Sequence, residues 1–447
     1  MIKNRLTGVI NVNINYWHSV TLKREICKGC TSCLKRCPTK AIRIQNGKAK
    51  ILKEYCIDCG ECIRICPYHA KKAVTDEFDI IKNFKYSVAL IAPTFFSQFS
   101  IADDINLILS AVKRVGFDDV YEVARGAETV TEKTKELLAS GELLKPTISS
   151  ACPAVARLIS LRFPNLIGNI IPLKSPMEIA AKDARDEAVK KTGLKNEEIG
   201  IIFISPCAAK VTAIKNPVNV TKSEVDGAIS VKDLYLAIAH KISKLHIDEI
   251  ESISKCGRSG ILWAVSGGEA NATECKRHIS VDGIDNVIDV LEAVEDGKLR
   301  DIEYIEALAC TGGCVGGPLN VENNFVARSK LKRICREIKD NENVEVKNDI
   351  FWERPVIYRP VMNLDDDITK AMEKAMKIEE IYEELPKLDC GSCGSPSCRD
   401  LAEDIVRGHA SENDCVFKLR ERVSSLAKQM VELDGKYEIV KKRESGD

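Results

Sequence analysis

The sequence predicts an α/β protein, in which a central domain of parallel sheets is flanked by a small α+β module and a small helical module. Three observations predict it. From about 85 to 350, short apolar runs at 88–92, 201–204 and 305–309 alternate with longer helical patterns such as 105–115 and 231–239. That alternation argues for parallel strands covered by helices. Cysteines gather at both ends of this region, eight before it and four after it, at spacings that suit metal ligation. Each apolar run also stops just before a motif, and loops at strand C-termini are where open parallel sheets place ligands.

At 447 residues the chain has room for about two to four domains with sizeable cores. Its 66 basic and 66 acidic residues cancel, so no net field argues for nucleic acid or an anionic membrane. No run of eighteen apolar residues occurs, and the N-terminus lacks the apolar core of a signal peptide. A soluble, cytoplasmic protein is the expectation. Nineteen cysteines in such a chain read as metal ligands and not as disulfides.

Taken in order, residues 1–20 alternate apolar and polar (Ile10, Val12, Ile14 and Tyr16 against Asn11, Asn13 and Asn15), which reads as a strand. Next come Cys27-x-x-Cys30-x-x-Cys33-x-x-x-Cys37-Pro38 and Cys56-x-x-Cys59-x-x-Cys62-x-x-x-Cys66-Pro67. The pair resembles the bacterial two-cluster ferredoxin pattern, in which the fourth cysteine of each run ligates the other cluster. That resemblance implies one 4Fe–4S cluster on Cys27, Cys30, Cys33 and Cys66 and another on Cys56, Cys59, Cys62 and Cys37. Structural zinc is the alternative, and the double repeat with both prolines argues against it. Asn46-Gly47, between two short apolar runs, fits a hairpin joining the halves.

Three central segments carry four more cysteines: Cys152 in Ala151-Cys152-Pro153, Cys207 in Ser205-Pro206-Cys207, and Cys310 with Cys314 in a stretch ending Gly316-Gly317-Pro318. Four soft thiolates suit an iron–sulfur cluster. Gly312, Gly313, Gly316 and Gly317 let backbone approach a bulky group closely. These segments resemble the three signature loops of the FeFe hydrogenases. Ala92-Pro93, Arg125-Gly126-Ala127, Lys174-Ser175-Pro176, Val225 to Ala228 and Ser266-Gly267-Gly268 also stand in that family's order over roughly 85–330. The resemblance implies a central domain of two parallel-sheet lobes holding an H-cluster. That cofactor is a 4Fe–4S cluster on Cys152, Cys207, Cys310 and Cys314, bridged by Cys314 to a diiron unit with CO, CN and dithiolate ligands. Lys210 matches the lysine that pairs with one cyanide, Pro93 and Thr94 match the backbone beside the other, and Ser205 and Pro206 belong to the second loop.

The sequence departs from the highly active members around the diiron pocket. Ala151 stands where the family keeps a cysteine that hands protons to the bridging amine, and Ile171 where the next relay hydroxyl falls. Ser205 and Leu308 replace methionines, Ala213 a glutamate, Met177 a glutamine and Ala270 a further methionine. Moving protons to a buried metal needs a chain of titratable groups. Glu132, Glu136 and Glu269 are the candidates to replace it, each with a solvated surface carboxylate as the bland alternative.

Residues 366–386 read as an acidic helix, followed by Cys390-x-x-Cys393-x-x-x-x-Cys398 and then Cys415. This set resembles the 4Fe–4S module of corrinoid iron–sulfur proteins and related electron carriers, with zinc as the alternative. Leu419, Val423, Leu426, Met430, Leu433, Tyr437 and Val440 step by four and three, the spacing of a coiled-coil seam, and Gly435 interrupts them. A helix lying on its own domain is the alternative to a homodimer through 419–447. Cys256, Cys275 and Cys335 remain as free thiols.

The expected division is a ferredoxin-like domain at 1–84, an H-cluster domain at 85–362, a C-terminal 4Fe–4S module at 363–418 and a terminal helix at 419–447. The expected function is that of a sensory or regulatory FeFe hydrogenase, acting slowly on H2 and protons. The resemblance implies an electron carrier or signalling partner (a kinase or phosphatase by analogy) and dedicated hydrogenase maturases. A slow metabolic, ferredoxin-linked hydrogenase and a non-catalytic iron–sulfur electron-transfer or assembly protein are the other readings.

Overall fold

The computed structural model describes residues 17–99, 104–242, 244–342, 344–346 and 348–444. The strand expected within 1–20 falls largely outside them; the first described strand, β1 (Val20–Leu22), begins where that segment ends. With β2 (Ile42–Gln45), β3 (Lys48–Ile51) and β4 (Lys71–Ala73) it builds two antiparallel pairs, β1 with β4 and β2 with β3. Asn46 and Gly47 join β2 to β3 with φ of 51° and 69°. Positive φ at both central residues is what a tight hairpin turn of matching twist needs.

The central region carries β5 (Tyr86–Ile91), β6 (Asp119–Glu122), β7 (Thr147–Ile148), β8 (Ile199–Ser205), β9 (Gly227–Ser230), β10 (His278–Asp282) and β11 (Tyr304–Leu308). Two parallel sheets result, one in the order β6-β5-β8-β9 and one in the order β10-β11-β7. Every residue of β8 and β11 is buried, as expected of strands covered on both faces. One core packs Ile91, Phe95, Ile108, Ile202 and Ile261 on one side of the first sheet, and Leu90, Ala180, Ile201 and Phe203 fill the other. A third core around Ile148, Leu158, Val287 and Ile305 surrounds the second sheet.

Toward the C-terminus the helices Ile368–Glu384 and Cys398–Val406 pack together over Ile378, Leu385, Leu401 and Ala402. The last helix runs Val416–Glu444 and passes through position 435 without a break, where the sequence suggested an interruption. Nor, over its described side chains, does its apolar stripe lie on its own domain. Leu419, Val423, Leu426, Met430 and Leu433 are all exposed. No described helix is long and apolar enough to cross a membrane.

Candidate active site and cluster-binding sites

Each central cysteine stands where a parallel strand hands over to a loop. Cys152 follows β7 at the N-cap of the helix Pro153–Arg162, whose leading proline suits a first turn that needs no N–H donor. Cys207 follows β8 at the N-cap of the helix Ala208–Lys215. Cys310 lies just past β11, and Cys314 opens the short turn Cys314–Gly316. A Cβ on Gly313, where φ is 92°, would sit 2.6 Å from the Ser266 backbone nitrogen, so the turn requires glycine. Gly312 shares the left-handed conformation. The second and third loops are locked together, because the Leu319 N–H donates to the Pro206 carbonyl at 3.1 Å with Gly317 pressed against it. Arg64 reaches over from the N-terminal module and donates to the Gly316 carbonyl at 2.6 Å.

These loops gather the four thiols into one largely enclosed group. Burial pushes Cys207 up to about 11, with charge on Cys152 adding to it. Burial likewise raises Cys310 and Cys314. Lys210, one turn after Cys207, brings its ammonium into the same group. Burial works against that charge, but the charges of Cys314, Cys207, Cys152 and Cys310 outweigh it and lift the lysine above its ordinary value. The Thr94 hydroxyl is buried without a hydrogen-bond partner. Its own carbonyl accepts from Ser97 Oγ and Gln98 Nε2, and Gln98 Oε1 ties this corner to the Val321 and Glu322 N–H groups beyond the third loop. An orphaned buried hydroxyl costs about 1–3 kcal/mol, so the corner beside Pro93 suits a polar ligand. The residues present fit an iron–sulfur group with anionic ligands. Ser205, by contrast, bonds locally: its Oγ donates to the Cys207 carbonyl at 2.9 Å and accepts from the Cys207 N–H at 3.2 Å.

Ala151 and Ile171, the two positions where the resemblance led one to expect relay groups, lie together in one apolar cluster with Leu173 and Trp263. Acidic groups occupy a different wall. Glu269 is buried and accepts from Ser149 Oγ at 2.6 Å and from the Tyr304 hydroxyl at 2.5 Å. Glu306, also buried, accepts from the Gly267 and Ala270 N–H groups at 3.0 and 2.8 Å and from Ser280 Oγ at 3.4 Å. Burial raises both carboxyls well above the carboxylate range, and the charge of Glu306 adds to the rise at Glu269. Both act on Cys314, which puts them beside the thiol group. The Ala151 N–H donates to the same Ser149 Oγ at 3.2 Å.

Glu132 and Glu136 do not join this wall. Both sit partly exposed on the helix Val123–Ser140, paired with Lys135 at 3.0 Å and Lys133 at 2.6 Å, while Ala127, Val130, Thr131 and Thr134 take its inner face. Ser149, Tyr304 and Glu306 escaped the sequence reading. Glu306 had a signal, an acid inside an apolar strand run; the other two acquire their role only when β11 pairs with β7.

In the N-terminal module one cavity is lined by Cys27, Cys30, Cys33 and Cys66 and another by Cys37, Cys56, Cys59 and Cys62. Lys71 on β4 lies among both sets, 3% exposed, with no hydrogen-bond partner for its Nζ. Burial raises Cys33, Cys37 and Cys62, the last to about 12, and the Lys71 charge offsets part of that rise at all three. A lone buried ammonium costs several kcal/mol, and two neighbouring anionic clusters would offset that cost. The module's residues thus fit such clusters. Cys393, Cys398 and Cys415 share the C-terminal core, and the exposed Cys390 acts electrostatically on Cys393.

Known families match in chain order: the 4Fe–4S dicluster domain over 19–67, the iron only hydrogenase large subunit, C-terminal domain, over 85–318, and an Fe–S cluster module over 385–417. Iron hydrogenase 1 of Clostridium pasteurianum is 23% identical over 302 residues, which is 57% of this chain and 52% of that protein. The chain spans about half the length of the first curated hydrogenases it matches. The corrinoid/iron-sulfur protein large subunit of Moorella thermoacetica is 45% identical over 38 residues, 8% of each chain. A structure of the FeFe-hydrogenase HydA1 from Chlamydomonas reinhardtii shares 14% identity at a TM-score of 0.43, over 59% of this chain and 86% of that one. The hydrogenase match takes in just over half of this sequence and all four motif cysteines, and the chain belongs to the iron-only hydrogenase large-subunit family.

Proposed function

We propose that this protein is a sensory or regulatory FeFe hydrogenase, which binds H2, turns it over slowly and passes electrons through 4Fe–4S clusters. Cys152, Cys207, Cys310 and Cys314 would hold the H-cluster, with Lys210 and the Pro93-Thr94 corner as partners for its anionic ligands. When bound, that group supplies the metal site at which H2 and two protons plus two electrons interconvert. The chain's residues supply the surroundings. Lys210 neutralises anionic charge, the glycine turn at 312–313 lets backbone close over the group, and the apolar cluster around Leu173 and Trp263 excludes water. Protons would pass by way of the Glu269 carboxyl, which Ser149 and Tyr304 hold by hydrogen bonds.

The observation that carries the slow, sensory reading is Ala151, a side chain unable to accept or donate a proton, set with Ile171 in an apolar wall. The division into units at 1–84, 85–362, 363–418 and 419–447 is part of the same reading, as is a homodimer through the exposed stripe of the last helix. Ala151→Cys tests it. Restoring the relay thiol should raise H2 turnover at least tenfold in matured protein, a modest share of the roughly 10²–10⁴ that a positioned proton carrier contributes. Unchanged turnover would remove Ala151 as the reason for slow catalysis.

A further inference from the structure

We propose that the C-terminal cysteine module is the last station of an electron path, exchanging single electrons with the cluster held by Cys27, Cys30, Cys33 and Cys66. The proposal rests on the reading of both cysteine sets as 4Fe–4S sites and not on hydrogen chemistry.

The module is clasped to the N-terminal module and does not hang free. Arg43 makes a two-pronged bond to Asp404, Nε to Oδ2 at 2.6 Å and Nη2 to Oδ1 at 2.9 Å, with both side chains mostly buried. Ser395 Oγ donates to the same carboxylate at 2.8 Å, and Lys40 pairs with Asp400 at 2.9 Å. A planar guanidinium on a planar carboxylate fixes orientation as well as distance.

That orientation brings one ligand shell against the other at two points. Leu34 follows Cys33 and is fully buried among Cys27, Cys33 and Cys66. A Cβ on Gly391, the residue after Cys390, would stand 3.3 Å from Leu34 Cδ2. Ile44 lines the Cys27 cavity, and its N–H donates to the Gly394 carbonyl, next to Cys393, at 2.8 Å. A Cβ on Gly394, where φ is 87°, would meet the Ile44 carbonyl at 2.1 Å. Glycine at 394 is what lets its backbone close on that of Ile44, and at 391 it leaves room for the Leu34 and Lys35 side chains. Lys35, two residues after Cys33, donates to the carbonyls of Asp389 and Pro396 and acts on Cys390 as a positive charge.

At the opposite end, Arg64 and Pro318 join the Cys37 and Cys56–Cys62 set to the central thiols, and the charge of Cys310 is felt at Cys59. The order is therefore central group, Cys56 set, Cys27 set, C-terminal set. Cys27, Cys30, Cys33 and Cys66 would hold the donor cluster and the C-terminal cysteines the acceptor, and one electron would pass between them, the donor rising from 1+ to 2+ as the acceptor falls from 2+ to 1+. Cys390, exposed, gives that last cluster an outlet to a one-electron acceptor.

The test is electron paramagnetic resonance on the full chain, made without maturases and reduced with dithionite, so that no diiron unit is needed. The C-terminal signal, identified by its loss in Cys390→Ala/Cys393→Ala, should be split or broadened by a neighbouring reduced cluster. Arg43→Met, checked for unchanged iron and sulfide content, should narrow it toward an isolated spin. Should that variant fail to fold, power saturation of the wild-type signal decides alone: fast, coupled relaxation supports the proposal. A C-terminal signal that relaxes as an isolated spin in the wild type overturns it. Failure of the hydrogenase reading would instead show in matured protein and leave this result untouched.

Discussion

Lys71 occupies the strand position where its ammonium, buried and unbonded, lies among two cysteine sets. A fixed cation stabilises a cluster that gains an electron, so it raises the reduction potential. Lys71→Met should make reduction of at least one N-terminal cluster about tenfold less favourable, a shift of about 59 mV to lower potential in an EPR redox titration. An unshifted midpoint would mean that the charge is screened or absent. At the acid wall, burial keeps a proton on the Glu269–Glu306 pair above the usual carboxylate range. The pair therefore carries its proton on the acid side of its raised pKa and loses it as pH rises through that value. H2 evolution should fall across the same interval. Glu269→Gln, which can neither take up nor release a proton there, should lower evolution by about 10²–10⁴ and flatten that alkaline limb, with Glu269→Asp recovering part. Equal loss at every pH in both variants would mark a structural role. The cysteines were legible because their spacing is local. Lys71 was not singled out, because a lysine one place after Ala70 carries no sign in sequence that the fold will bury it.

At the scale of elements, the strands at 86–91, 199–205 and 304–308 could be read from apolar runs, and the Asn46-Gly47 turn from its dipeptide. Pairing could not. β11 lies between β10 and β7, strands distant in sequence, and that arrangement alone brings Ser149 to Tyr304 and Glu269. Glu132 and Glu136 misled for a related reason: spacing along a helix fixes a face, and only packing decides which face is inward. The terminal helix begins one residue after Cys415 and leaves Leu419, Val423, Leu426, Met430 and Leu433 uncovered. Burying such side chains contributes about 1.5–3 kcal/mol each, enough to pair two copies. Analytical ultracentrifugation should find a dimer for the full chain and a monomer for a chain ending at 418. The same mass for both would assign the stripe to a different partner.

Across the whole molecule, the four cysteine sets follow one another from the central domain through the N-terminal module to the C-terminal one, although the last set is farthest along the chain. The fold folds the sequence back on itself, with Arg43 and Asp404 as the closing bond. No local pattern announces a contact between residues so far apart, and the proposed route of electrons is legible in the sequence only as a set of stations without an order. A sensor built this way would report H2 as charge at its far end, beside the last helix. The group enclosed by Cys152, Cys207, Cys310, Cys314 and Lys210 should respond to H2. Infrared spectroscopy of matured protein, first under argon and then under H2, decides this. Expected are CO and cyanide bands that shift when H2 is admitted, alongside slow turnover. Full iron–sulfur content with no such bands would contradict it and leave an electron-transfer or assembly protein.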